Sequence, residues 1–434
     1  MSNRYKGFTL NNFTKIPQIT EYLSPDEIHA INVVGNVLPF KVNNYVVDEL
    51  IDWTNIPNDP IYQLTFPQKE MLSKEDFKTV SDALEAGLKK PELLKIVNEI
   101  RLALNPHPAG QEHNVPELDG QKLTGIQHKY NETVLFFPSN SQTCHAYCTF
   151  CFRWPQFVGI DELKFAMRET ELLAKYVKTH PEVSDVLFTG GDPMVMSAKH
   201  FGAYINPLLD EDITNLKTIR IGTKSLGYWP YKFTTDKDAD EMLAIFERIV
   251  KSGKSLAFMA HFNHPNELKT PAVREAIRRI RATGAQIRTQ SPIMKNINDS
   301  SDAWEEMWKE QVNQGLIPYY MFVARDTGAQ DYFAVSLDRA WDIYRDAYKN
   351  VSGIARTVRG PSMSANPGKV HVVGVTEVQG QKVFVLNFIQ GRSEEWVGKP
   401  FFAKHDAEAI WLDDLKPAFQ DEFFYEEEFA MIQK

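Results

Sequence analysis

The sequence predicts an α/β chain built round a partial (βα)6 barrel. Two observations carry this. Between about 130 and 350, short β-rich runs alternate with amphipathic helical stretches, and each run is followed by a polar, glycine-bearing or otherwise unusual segment. In parallel sheets the working groups gather beyond the carboxyl ends of the strands, so six such segments on one rim predict one working face.

The six strand runs are 134–137, 185–188, 218–221, 255–259, 286–289 and 317–322. Helices are expected over 162–179, 238–251 and 272–281, where apolar residues recur three and four apart. Ahead of this unit, residues 1–120 read as a helical region rich in proline, with helices at 73–87 and 90–103, packing on the catalytic part without chemistry of its own. The stretch 105–120, with Pro106, Pro108, Pro116 and Gly120, reads as a linker. The barrel is assigned to 121–350 and a C-terminal segment to 351–434. In the latter a loop from Arg359 to Lys369 precedes two β-like runs, 370–375 and 382–388, joined as a hairpin at Gly380-Gln381. The acidic, aromatic-bearing end reads as a solvated or partner-facing tail.

The bulk numbers exclude some classes. With 434 residues, 43% of them hydrophobic and 24% charged, the chain can bury a sizeable core. A net charge of −9 argues against nucleic acid as the partner. No apolar leader opens the sequence and no run reaches bilayer length, so no membrane association is expected.

All three cysteines fall in Cys144-His-Ala-Tyr-Cys148-Thr-Phe-Cys151. Soft thiolates select iron–sulfur clusters, copper(I) or zinc. A structural zinc site needs four closed ligands, and His145, directly beside Cys144, is poorly placed to complete a tetrahedron. A cubane held by three thiolates instead leaves one iron open for an outside ligand. Zinc and three plain reduced thiols are the alternatives. An exposed cluster does not survive an oxidising compartment, which predicts a cytoplasmic protein.

Other residues gain meaning from position. Gly190 and Gly191 make either a simple tight turn or a backbone that lets a cofactor on the cluster come close, with Asp192 beside them. Arg153, two residues past Cys151, either forms a surface salt bridge or holds a carboxylate with its planar fork. His261 and His264 lack a helical pattern and a third ligand, which favours contacts to substrate or its neighbours over metal binding. Lys369 lies among Gly, Pro and Ser, the kind of backbone a phosphate-bearing cofactor approaches, and a Schiff base to pyridoxal phosphate needs such an amine.

The cysteine loop resembles the signature of the radical S-adenosylmethionine superfamily, in which the cofactor's amino and carboxylate groups chelate the open iron. Together with Arg153, Gly190 to Pro193, Ile219-Arg-Ile-Gly-Thr, His261-Phe-Asn-His-Pro-Asn-Glu, Asn298-Asp299, Pro318-Tyr-Tyr and Pro367-Gly368-Lys369, it makes residues about 50–390 similar to the lysine 2,3-aminomutase family. The resemblance implies a [4Fe-4S] cluster on Cys144, Cys148 and Cys151, S-adenosylmethionine contacted by Gly190, Gly191 and Asp192, and pyridoxal 5′-phosphate on Lys369 beside Tyr130. It also implies a mechanism. The reduced cluster splits S-adenosylmethionine, the 5′-deoxyadenosyl radical takes hydrogen from the β-carbon of an amino acid held as its pyridoxal imine, and the amino group moves from Cα to Cβ. Arg153 would hold the substrate α-carboxylate and Asp299 would face the distal ammonium of L-lysine. A flavodoxin or ferredoxin as electron donor and a homo-oligomer are implied as well.

Three departures stand out. The family's second acid for that ammonium is missing from the stretch bearing Ser362 and Ser364, an arginine expected to touch the cofactor beside Tyr130 appears as Thr133, and the extra cysteines that bind zinc in some members are absent. Glutamate or arginine as substrate, a radical enzyme without pyridoxal phosphate, and a non-enzymatic metal-binding scaffold are the competing readings.

Overall fold

The computed structural model describes residues 4–105, 114–159, 166–210 and 212–432. The N-terminal region opens with β1 (Gly7–Thr9), α1 (Pro17–Tyr22) and α2 (Pro25–Val37), followed by β2 (Lys41–Asn43), which pairs antiparallel with β1. Helix α2 starts where its sequence directs. Ser24 and Glu27 cap each other reciprocally and Pro25 occupies the first turn. Next come α3 (Pro60–Thr65), capped by Asp59, then α4 (Lys74–Glu85), α5 (Lys90–Ala103) and a small hairpin of β3 (Glu117–Leu118) and β4 (Gln121–Lys122). The two helices expected at 73–87 and 90–103 are thus present, and half of the expected linker, 106–113, lies outside the described residues.

The central unit runs β5 (Ile126–Tyr130), β6 (Thr133–Phe136), α6 (Thr170–Thr179), β7 (Asp185–Phe188), α7 (Ala198–Ile205), β8 (Thr218–Thr223), α8 (Ser225–Tyr228) and α9 (Ala239–Lys251). It continues with β9 (Ser255–His261), α10 (Pro271–Ala282), β10 (Gln286–Ile293), α11 (Ser301–Asn313), β11 (Ile317–Val323), α12 (Gln330–Phe333) and α13 (Leu337–Lys349). The chain closes with β12 (Arg359–Ser364), β13 (Gly368–Val378), β14 (Gln381–Gly391), β15 (Pro400–Lys404) and α14 (Glu426–Ile432). Strands β5 to β15 form one 11-stranded sheet in strict sequence order. Strands β6 to β12 are parallel, and β5 and β13 to β15 are antiparallel.

Sequential parallel order has a consequence for function. Right-handed crossovers bring every helix back over the same face, leaving the other face free. Burial follows this division. On β8, Ile219, Ile221 and Thr223 are buried, whereas Thr218, Arg220 and Gly222 stay partly open, and on β7 Val186 and Phe188 are sealed while Asp185 and Leu187 are not. One face is a dry core against helices, and the other carries the polar groups.

Each of the six expected strands begins within one residue of its predicted position, but four expectations need correction. The helix foreseen over 162–179 starts only at Thr170; residues 162–165 lie outside the described residues, and Met167 runs extended, exchanging backbone hydrogen bonds with Phe137 and Ser139. The segment 359–364 is a seventh parallel strand, not a loop. Tyr320 faces Arg359 and Phe322 faces Ser362, so β12 has one residue more than β11 between the pairs, and Pro361, with no N–H to donate, falls in that bulge. Lys369 therefore stands on β13, opposite Ser364. The hairpin turns at Gln379-Gly380, one residue earlier than expected, where both residues take the positive φ that a tight two-residue turn requires. Finally, the acidic end is no solvated tail: Phe423 and Tyr425 are buried with Phe388, Trp396 and Phe401, and the Trp396 indole N–H donates to Glu428 at 2.7 Å.

Candidate active site

The loop carrying the cysteines follows β6 and is held from two sides. From the N-terminal region, Lys41 Nζ donates to the Cys144 carbonyl (2.7 Å) and to Thr143 Oγ1 (3.2 Å). The N–H groups of Tyr147 and Thr149 donate to the carbonyls of Lys41 and Leu64. Tyr5 Oη and Asn43 Nδ2 both donate to the His145 carbonyl, at 2.7 and 3.2 Å. A region expected to carry no chemistry thus fixes the loop that does.

From the other side the Gly190-Gly191-Asp192 segment packs on the same loop. Gly191 and Asp192 donate backbone N–H groups to Ser141 O, and Asp192 N–H also donates to Thr143 O at 2.8 Å. A Cβ on Gly191 would collide with the Thr143 backbone, and one on Gly190, whose φ is +135°, would come 2.8 Å from Ser141 Oγ. These glycines are therefore required first by the cysteine loop itself. The buried Asp192 carboxylate accepts hydrogen bonds from Thr223 Oγ1 (2.7 Å), Ser225 Oγ (3.0 Å) and the N–H groups of Met194 and Lys224 (both 2.9 Å).

Behind the loop, Cys148 Sγ lies 3.7 Å from Tyr228 Oη and the Lys224 ammonium lies 4.2 Å from the Tyr228 ring. Lys224 pairs with Glu267, which is wholly buried and also accepts from the N–H groups of Asn263 and His264. His261 contacts Gln290 at 2.6 Å, and burial, with Lys224 and Arg153 nearby, pulls its imidazole down to about 3, so it is neutral. His264 caps the short turn that follows it, accepting from Asn266 N–H.

Burial pushes the thiol of Cys148 up to about 12 and that of Cys151 to about 11, and raises Cys144 further with Asp192 adding to the effect. Thiolates at these positions need a cationic centre to exist. A cubane takes one thiolate per iron, and the three cysteines of this loop, with Cys148 and Cys151 both acting on Cys144, are a donor set of that kind.

The opposite end of the open face is cationic. Lys369 Nζ donates to Gln390 Oε1 (3.2 Å) and lies 4.3 Å over the Tyr320 ring; burial, with Arg220 and Arg359 nearby, brings its amine down to about 7. Lys129 Nζ donates to Ala365 O at 2.9 Å, and Arg392 donates to Asn366 O at 3.0 Å and to Asn114 Oδ1 at 3.1 Å. Burial likewise brings Lys129 to about 7, with Arg392, Arg325 and Lys369 adding to it. Arg153 and Arg325 lie 5.2 and 5.4 Å from the Phe152 ring, and Arg153 lies 4.6 Å from Phe137. Arg325 Nε is buried without a hydrogen-bond partner. Among the described residues none of Lys129, Arg153, Arg325, Lys369 and Arg392 forms an ion pair.

The structure thus gathers the cysteines with Gly190 to Asp192, and Lys369 with Tyr320 and the neighbourhood of Tyr130, whose phenol burial raises while Tyr320, Arg392 and Arg325 act on it. It does not bring Asp299 to either group: that carboxylate is exposed after β10, while its neighbour Asn298 is buried, donating to Asn263 O and Pro292 O. Ser362 is buried and donates to Met321 O at 3.4 Å. Thr133 donates to Asp185, which Arg220 grips with both Nε and Nη2. Lys129, Arg325, Arg392 and Glu267 were not singled out as site residues by the sequence. Lys129 sits beside Tyr130 and Arg325 opens the sixth rim segment, so adjacency was the available signal.

Comparison with known proteins follows the same lines. No family model matches the chain. An Aquifex aeolicus (strain VF5) protein provisionally named an L-lysine 2,3-aminomutase is 30% identical over 91% of this chain and 92% of its own length. The L-lysine 2,3-aminomutases of Escherichia coli (strain K12) and Acetoanaerobium sticklandii are 25% and 23% identical, over 72% and 89% of this chain and 88% and 82% of theirs. A solved radical SAM methyltransferase from Sphaerobacter thermophilus aligns with a TM-score of 0.33 and 13% identity over 54% of this chain and 68% of that one, too loose a match to bear on fold or function. The chain is an enzyme of the isomerase kind. It belongs to the lysine 2,3-aminomutase family of radical S-adenosylmethionine enzymes, and that membership implies a [4Fe-4S] cluster and S-adenosylmethionine.

Proposed function

We propose that the chain catalyses a pyridoxal phosphate-dependent 2,3-migration of the amino group of an amino acid, in an open (βα)6 barrel of a cytoplasmic protein. The single observation that carries this is Lys369: its amine lies on the open face of the sheet over Tyr320, paired with no carboxylate among the described residues, and burial brings it down to about 7, so that a large share is neutral near pH 7. A neutral amine is what capture of an aldehyde needs. When bound, the cluster with S-adenosylmethionine supplies the radical and pyridoxal phosphate supplies the π system that shares the unpaired electron.

The chain's own residues then have separate tasks. Cys144, Cys148 and Cys151 hold the cluster, and Lys41, Asn43, Gly191 and Asp192 keep their loop in place. Arg153, packed on Phe137 and Phe152 and forming no ion pair among the described residues, holds the substrate α-carboxylate. Lys369 holds the pyridoxal group, with Tyr130 beside it.

L-lysine is the substrate named for the relatives, and the family resemblance gives Asp299 as the acid for its distal ammonium. A second reading has specific support: Asp299 is exposed and Ser362 is buried on backbone, so the described residues offer no acid pair for a buried ammonium, whose lone burial costs several kcal/mol. That favours the same migration on an amino acid without a distal ammonium, such as glutamate. Reduced, fully loaded enzyme should be given L-lysine, L-glutamate and L-arginine and the products resolved by mass spectrometry. A β-amino acid from one of them is expected. Cleavage of S-adenosylmethionine that needs no pyridoxal phosphate, with no β-amino acid from any of the three, would remove the proposal.

A further inference from the structure

Tyr228, at the end of α8, has no task in the function proposed above. Its ring is wholly buried, and among the described residues its hydroxyl meets one hydrogen-bond partner, Cys148 Sγ at 3.7 Å. A phenol sealed from water must place its O–H on an acceptor. Here that acceptor is the sulfur of a cysteine assigned to the cluster.

Several contacts set this approach. Asn43 Nδ2 donates both to the Tyr228 carbonyl (2.9 Å) and to the His145 carbonyl (3.2 Å), so one amide ties the end of α8 to the cysteine loop. At the start of α8, Ser225 Oγ lies 2.9 Å from His145 Nδ1 and donates to Asp192. Gly227 lets α8 lie against Glu267, since a Cβ there would come 2.9 Å from Glu267 Oε1. Glu267 in turn holds Lys224, whose ammonium stands 4.2 Å from the centre of the Tyr228 ring. A cation on a ring face draws on its electron density, which makes the phenol O–H a stronger donor.

Between a thiol and a phenol either partner can donate. A cysteine sulfur bound to iron has no proton, so there the phenol is the donor, and with an ordinary pKa of about 10 it carries its proton at neutral pH. Hydrogen bonds to the sulfurs help to set the reduction potential of an iron–sulfur cluster. The reduced cluster carries one more negative charge than the oxidised one. A donor on its sulfur therefore stabilises the reduced form more and raises the potential.

We propose that Tyr228, fixed by Asn43 and by Lys224 on its ring, donates a hydrogen bond to the Cys148 sulfur of the cluster and eases the uptake of one electron from an external donor. The inference rests on the cluster that family membership implies and is independent of the pyridoxal phosphate reading. Anaerobically reconstituted full-length protein, without S-adenosylmethionine or pyridoxal phosphate, is titrated with dithionite through redox mediators, and the EPR signal of the reduced cluster is followed in the parent, Tyr228→Phe and Tyr231→Phe. Tyr228→Phe keeps the ring and loses only the O–H. Its reduction equilibrium should shift about tenfold against the reduced form, about 59 mV lower for one electron, with iron content unchanged. Tyr231, the next tyrosine, donates its hydroxyl to Glu49 instead, so Tyr231→Phe should keep the parent potential. Pulsed EPR of the reduced parent should also show a proton coupling that exchanges in heavy water and is missing from Tyr228→Phe.

Equal potentials in the parent and Tyr228→Phe overturn the inference, as does an equal shift in Tyr231→Phe, which makes the effect one of general packing. Loss of iron from Tyr228→Phe makes the phenol a support for the loop and overturns its part as donor. A parent that takes up no iron removes the cluster and this inference with it. The predicted shift in protein that forms no adduct on Lys369 supports the inference while the proposed function fails.

Discussion

The two ends of the open face are built on opposite electrostatic plans. At the cysteine end two buried charges are matched: Lys224 has Glu267, and Asp192 has two hydroxyls and two backbone N–H groups, while Arg153 packs on Phe137 and Phe152. At the lysine end none of Lys129, Lys369 and Arg392, nor Arg325 over Phe152, is paired with a carboxylate among the described residues. The first end meets these two charges with its own protein groups. The second is complete only with an anion. Burying unmatched cations is expensive, so their retention points to ligands that bring negative charge, which a phosphate and an amino-acid carboxylate both do.

Several substitutions should break or sharpen this contrast. The largest effect belongs to Cys148→Ser, which removes one corner of the cluster. Iron content and formation of 5′-deoxyadenosine should fall to background, while pyridoxal labelling of Lys369 stays near the parent level, because the ends are assembled independently. Loss of both together would show them to be one cooperative unit.

Glu267→Gln comes next. It leaves the Lys224 ammonium buried without its counter-charge and should cost about 3–5 kcal/mol of unfolding free energy, read from denaturant midpoints at constant m. A change below about 1 kcal/mol would mean that the pair is hydrated and the cysteine end less tightly matched than described.

A smaller effect is expected from pH. The Lys369 amine is depressed to about 7 by burial and by Arg220 and Arg359, so it is protonated and unreactive below that value and neutral above it. The rate of pyridoxal phosphate loading should therefore fall about tenfold per pH unit below 7 and level off above it. A rate still climbing at pH 9 would assign Lys369 an ordinary solvated ammonium.

The smallest effect is the most discriminating. Arg325→Gln removes a charge from the unmatched end, so protein without pyridoxal phosphate should keep its stability within about 1 kcal/mol, on the stabilising side, where Glu267→Gln is strongly destabilising. A clear loss of stability would reveal an unseen partner for Arg325.

The starts of six parallel strands were legible in the sequence because alternation and the special segments after each run are local signals. The cysteine spacing and Gly190-Gly191 were legible for the same reason. What escaped depends on partners far away in the chain. Strand β12 was hidden by Gly360-Pro361, which break the β pattern and are tolerated only because a bulge opposite Tyr320 and Phe322 absorbs them. The buried aromatics at the C-terminus read as a tail since each is flanked by acids, and only the second core around Phe388 and Trp396 gives them a place. The clamp from Lys41 and Asn43 spans about a hundred residues of sequence, and Lys129, Arg325, Lys369 and Arg392 come from four separate segments. No spacing rule links such residues. Their meeting follows from the strand order.

The most direct test of the account is chemical trapping on Lys369. Anaerobically purified, cluster-containing protein is incubated with pyridoxal phosphate, reduced with borohydride, digested and mapped by mass spectrometry, beside Lys369→Ala. The account predicts a pyridoxyl label on the peptide carrying Lys369, at close to one per chain, and none on that peptide in the variant. A cluster-containing protein that takes no label there, or takes it on another lysine equally in the parent and in Lys369→Ala, would contradict the account and leave only the radical cluster.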